Sequence, residues 1–117
     1  MLFVSCKRNE PFEIAQIPLS ENSSIFLEKL SGFTPFEWDR LYAIGPYQDF
    51  DCRQIKKLPH RVEDKIESQK LFDNEVVILF IKNETFVNYS VMSFSDFEKT
   101  RLDCDYWYES AAIHRQQ

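Results

Sequence analysis

Two histidines, three cysteines and nineteen carboxylates are the groups with which this 117-residue chain could do chemistry. His60 and His114 are the candidate general bases, and neither stands in a nucleophile–base spacing. A lone histidine beside Pro59, or at the end of a strand, is ordinarily a solvated side chain. Two glycines in the whole chain leave no loop to cradle a phosphate. Asp49 with Asp51, and Asp103 with Asp105, would bind a hard cation only if the pairs met in space. Neither has EF-hand spacing, and turns and helix caps account for both. No catalytic residue, metal site or cofactor is assigned on this basis. A small hydrolase using scattered carboxylates or a histidine is the weakest of three readings.

Cys6, Cys52 and Cys104 have no C-x-x-C spacing and no histidine pair nearby, so the spacing lends a zinc site almost no support. Cys6 stands apart from the other two. It closes Leu2-Phe3-Val4-Ser5-Cys6, an apolar run, a small residue and then a thiol. That is the ending of a bacterial lipoprotein signal peptide, in which the thiol accepts a lipid. On this reading residues 1–5 are the tail of a signal, Cys6 is the lipid anchor and 6–117 form a single domain. The alternative is a short N-terminal strand, Leu2 to Val4. With Cys6 set aside, Cys52 and Cys104 are a candidate disulfide in an oxidising compartment. It would close a loop of roughly fifty residues and contribute about 3–4 kcal/mol. The other reading of the pair is two ordinary thiols.

The elements that must position these residues can be read from punctuation and periodicity. Phe12 to Leu19 alternates partly and is bounded by Pro11 and Pro18, which predicts an edge strand. Phe26, Leu27 and Leu30 follow several cap residues, which predicts a helix over 22–31 with Gly32 at its end. Phe36 to Ile44 reads as a strand with Trp38, Tyr42 and Ile44 on one face and Leu41 and Ala43 on the other. Asp49 to Asp51 can cap a short helix carrying Arg53, Lys56 and Lys57 in its last turns, before Pro59. Residues 60–71 are weakly helical, through Val62 and Ile66. Glu75 to Lys82 reads as a central strand, Asn83-Glu84 as a turn and Thr85 to Met92 as the second arm of a hairpin. Ser93 to Asp105 reads as a loop with at most one helical turn, and Tyr106 to Arg115 as a last strand. The sum is an α+β fold, an antiparallel sheet of four to five strands with two or three short helices packed on one face.

Trp38 to Tyr47 is the most distinctive segment, W-D-R-L-Y-A-I-G-P-Y. It resembles the W-D-x-[LV]-Y-x-[FI]-G-P-Y motif of a family of small, mostly uncharacterised bacterial lipoproteins. Those proteins share the order helix, motif strand, short helix, Phe/Val-rich hairpin and last strand with a small-residue pair, here Ala111-Ala112. The resemblance implies an envelope location and carries no established activity. From the residues alone the motif has a mechanical role. Trp38 and Tyr42 fill the core between sheet and helix. Asp39 accepts hydrogen bonds from backbone amides or an arginine. Gly45-Pro46 turns a corner that Tyr47 covers. The functional alternative makes the Gly45 to Asp51 loop, with Tyr47 and Asp49, a recognition edge.

Composition narrows the partners. The net charge of −5 disfavours nucleic acid, and the short basic runs at Lys7-Arg8 and Arg53 to Lys57 are too small to change that. The longest apolar run, Val76 to Ile81, is strand length, so membrane contact is expected through the lipid anchor only. Eleven Phe, five Tyr and two Trp exceed what a core this small needs. Tyr106-Trp107-Tyr108 must put a large ring on each face of its strand, and outward aromatics mark protein-binding surfaces. The leading expectation is a non-enzymatic envelope lipoprotein domain that binds a protein partner. The alternative is a cytoplasmic partner-binding protein, such as a toxin-immunity factor, whose acidity suits a basic partner.

Overall fold

The computed structural model describes residues 11–45, 55–69, 74–104 and 106–109. Its centre is β2, Glu75–Lys82, in which Val76 through Ile81 are all buried. An unbroken apolar strand needs cover on both faces, and both are covered. Val76, Ile78 and Phe80 face one cluster; Val77, Leu79 and Ile81 face another. β2 pairs antiparallel with β1 (Arg40–Ile44) and β3 (Thr85–Ser93), and β1 pairs with β4 (Trp107–Glu109). The sheet order is β3-β2-β1-β4, and the fold is α+β.

Three helices cover the sheet, and they divide between its faces. α1, Ser23–Phe33, brings Phe26, Leu27 and Leu30 to the first cluster, where Phe97 of α3 (Phe94–Lys99) joins them. α2, His60–Gln69, brings Val62 and Ile66 to the second. The expectation of helices on a single face is corrected here. Two apolar residues one turn apart, set among charges, suffice for α2 because β2, with Ile44 of β1 and Ile55, supplies the other buried members of that cluster.

α1 starts where Asn22 Oδ1 accepts the Ile25 amide at 3.1 Å. It runs through Gly32 to Phe33, further than expected, and stops because Pro35 bars Thr34 from helical backbone. α3 exceeds the single turn expected, capped by Ser93 Oγ on the Asp96 amide at 3.1 Å. The expected helix before Pro59 does not reach Lys57. Lys56 forms an isolated bridge to Thr85, and Lys57 has φ 59°. The earlier part of that helix, the last strand beyond Glu109 and the Leu2 to Val4 alternative lie outside the described residues.

Two strands depart from expectation. The segment after Pro11 is a 3-10 turn, Ile14–Gln16, and not an edge strand. Ile14 and Ile17 are both buried, a three-residue spacing that strand alternation would send to opposite faces. Ser90 Oγ, itself buried, donates to Phe12 O at 2.5 Å and accepts the Ile14 amide at 3.2 Å, and the Phe12 amide donates to Tyr89 O at 2.8 Å. In β3 a bulge shifts the register between Phe80↔Asn88 and Ile81↔Phe86. The extra residue breaks the two-residue alternation, so Phe86 joins Tyr89 at the second cluster while Val87 packs against the first.

The β2–β3 turn is Asn83-Glu84, with φ 52° and 66°. Both residues are left-handed, as a type I′ hairpin demands, and Glu84 bears a side-chain penalty that glycine would not. Glu84→Gly should raise stability by about 0.5–1 kcal/mol, read as a higher urea midpoint. The Lys56–Glu84 ion pair it removes is exposed, 3.7 Å long and of little weight. A lowered midpoint would overturn this account of the turn.

Candidate functional site

The motif strand and β4 bring the sequence-predicted residues together at one edge of the sheet. Trp38 precedes β1 and lies in the first cluster, edge-to-face on Phe80 at 5.5 Å. Its indole N–H donates to Thr34 Oγ1 at 3.0 Å, tying the motif to the end of α1. Tyr42 and Ile44 belong to the second cluster, so Trp38 does not share their face. The strand begins only at Arg40, and the face alternation expected from Phe36 onward has no strand there to act on.

Asp39 enters β1 through its amide, which donates to Ile81 O at 2.9 Å. Its Oδ2 accepts the Asn83 amide at 3.0 Å, so the motif carboxylate holds the hairpin turn. Gly45 is buried, while Pro46, Tyr47 and Asp49 lie outside the described residues.

Arg40 is the residue that sequence reading passed over. It sits opposite Glu109 in register, and the two charges do not pair. The guanidinium instead stacks over the Trp107 ring, 4.1 Å from its centroid, and its buried Nε has no hydrogen-bond partner among the described residues. Tyr42 lies against the same indole at 4.7 Å. The only signal was a basic residue within an aromatic motif, whose partner is 67 positions away.

On the opposite face of β4, Tyr106 and Tyr108 stack at 5.0 Å. Tyr106 is 55% exposed, the most exposed large apolar side chain among the described residues. Tyr108 is half-buried against the first cluster, and its hydroxyl accepts the Asp103 amide. Burial raises the Tyr108 phenol above its ordinary pKa of 10.0, against the lowering effect of the Asp103 backbone hydrogen bond. A raised acid pKa means that folding favours the protonated phenol. That stability is complete below pH 10 and is lost as pH climbs through the folded value. Tyr108→Phe should cost about 1 kcal/mol at neutral pH through the lost hydrogen bond. Its deficit against the parent should then narrow above pH 10 in urea titrations. A constant deficit would sink the assignment.

The remaining candidates are dispersed. Cys104 is half-buried against the first cluster, and Cys6 and Cys52 lie outside the described residues. His60 is exposed at the start of α2, 3.2 Å from Glu63. Among the described residues no three His, Cys, Asp or Glu side chains gather to hold a metal ion. No described helix is long and apolar enough to cross a membrane. The arrangement offers stacked rings, a guanidinium laid on an indole and the terminal strand of the sheet. Against family models, curated proteins and solved structures, the chain matches none.

Proposed function

We propose that this protein is a non-catalytic, partner-binding domain of the bacterial envelope, held to the membrane by a lipid on Cys6 and presenting the β4 edge to another protein. The observation that carries the reading is the exposure of Tyr106, stacked on Tyr108 beside the Arg40–Trp107 pair. Tyrosine, tryptophan and arginine are the residues in which binding hot spots concentrate. The Leu2 to Cys6 pattern and the likeness of Trp38 to Tyr47 to the lipoprotein motif support the address.

A photo-crosslinking amino acid at position 106, in full-length protein in its native host, tests the edge. One discrete adduct is expected there, and none with the crosslinker at Glu21. Absence of any adduct, or equal adducts at both positions, would remove the β4 edge from the proposal. Mass spectrometry of the same protein tests the address, and acyl chains on Cys6 are expected. An unmodified thiol in the soluble fraction would favour the cytoplasmic reading, for which the net charge of −5 suits a basic partner such as a toxin.

A further inference from the structure

Besides Tyr106, the exposed large apolar side chains among the described residues are Leu19, Ile25 and Phe33, all within fifteen residues at and before α1. Ile25, Lys29 and Phe33 follow at four-residue steps, so they share one flank of the helix. Phe33 also forms the rim of an open groove of about 430 Å³ lined by Pro11, Phe12, Gln16, Pro35 and Phe36, with the exposed Glu13 at its mouth. The groove lies beside Asn88 of β3, at the sheet edge opposite β4.

Two features say what covers this surface. Pro11 lies five residues after Cys6, and five residues reach at most about 18 Å by any path. That is less than the domain's least extent of 26 Å, so a lipid on Cys6 keeps the face around Pro11 close to the bilayer. The connecting segment contains Lys7 and Arg8, which suit anionic headgroups. The flank itself fits the same occupant. Lysine is depleted from the cores of protein interfaces, whereas at a membrane surface Lys29 can lay its stem among Ile25 and Phe33 and lift its ammonium to the headgroups.

We infer that the Ile25–Phe33 flank of α1 and the groove at Pro11 rest on the membrane surface to which Cys6 is attached. This orientation rests on the lipid anchor proposed above. It leaves β4, at the other side of the sheet, turned toward the partner.

The test tethers the full chain through a Cys6 thioether to maleimide lipid. The vesicles are mainly phosphatidylcholine with phosphatidylglycerol, and Cys52 and Cys104 are replaced by alanine. If that pair of changes disturbs the circular-dichroism spectrum, a histidine tag in place of residues 1–5, joined directly to position 6 and held on nickel-chelating lipid, replaces the thioether. Hydroxyl-radical footprinting by mass spectrometry then compares tethered with free protein. Oxidation of Ile25 and Phe33 should fall severalfold on the vesicle while Tyr106 keeps its free rate. Phe33→Glu should return Ile25 to its vesicle-free rate. Unchanged oxidation of Ile25 and Phe33, or protection of Tyr106 in their place, would overturn the orientation and leave the anchor standing. An unacylated Cys6 in the native host would remove the anchor, and the orientation with it.

Discussion

Phe80→Ala should remove a large fraction of the protein's stability and lower its urea midpoint sharply. Phe80 is fully buried in the central strand, and three aromatic rings meet it edge-to-face: Phe12 at 6.0 Å, Phe36 at 5.1 Å and Trp38 at 5.5 Å. Removing a buried phenyl costs about 3–5 kcal/mol, the larger value where the walls cannot collapse into the space. Each edge-to-face pair adds about 0.5–1.5 kcal/mol beyond the buried area. These walls belong to different elements: the 3-10 segment, the stretch after α1 and the entry to β1. Small domains hold about 5–15 kcal/mol in all, so the loss is a large fraction of the total. Urea titration followed by tryptophan fluorescence measures it directly, because Trp38 is one of the three neighbours. Phe80→Leu, which keeps most of the volume, should cost clearly less. Equal losses for the two variants would mean that the ring contacts carry no weight.

Ser90→Ala should have the next largest effect, through a different mechanism. Its hydroxyl satisfies two backbone groups, Phe12 O and the Ile14 amide, in a place that water does not reach. Alanine leaves both unpaired, and each buried unsatisfied group costs about 1–3 kcal/mol. A loss of about 2–4 kcal/mol is expected, since the segment can relax partway toward solvent. The signature is local. Hydrogen exchange at Ile14 and Ile17 should accelerate far more than at Leu79, deep in β2. Uniform acceleration would show that Ser90 supports the whole sheet and not this one segment. The groove would suffer as well, because Phe12 is one of its walls.

Much of this fold can be read from the chain, for identifiable reasons. β2 has six consecutive apolar residues, the hairpin turn has Asn83, and α1 has a cap followed by properly spaced phenylalanine and leucines. Those signals are local. The parts that could not be read are those decided across the sheet. Phe12 to Leu19 had strand-like alternation, yet Ser90, seventy-odd positions away, fixes it as a turn. The bulge in β3 has no local marker and reverses which of Phe86 and Val87 faces α2. β2 alone did not announce which helix would cover its second face, because α2 carries only Val62 and Ile66 for the purpose.

The edge site shows the same division. Tyr106, Trp107 and Tyr108 could be singled out because three rings in sequence must occupy both faces of a strand. Arg40 could not, since its role depends on β4 pairing beside β1. The motif's own chemistry was partly accessible. Asp39 at a strand entry is an acceptor by type, but that it holds the turn at Asn83 follows from the register of β1 on β2.

The two outer strands are finished differently, and this limits how the protein can assemble. β3 is latched twice along its free side, by Phe12 at Tyr89 and by Lys56 at Glu84 and Phe86. Among the described residues, β4 has no strand along its outer side. A sheet that accepts a neighbour on one side alone has a valence of one. Two such sheets meeting through β4 make a closed pair, with no free end from which a third could grow. Ribbon growth needs two receptive edges, and the latched side of β3 offers none, so edge-to-edge stacking cannot propagate through this sheet.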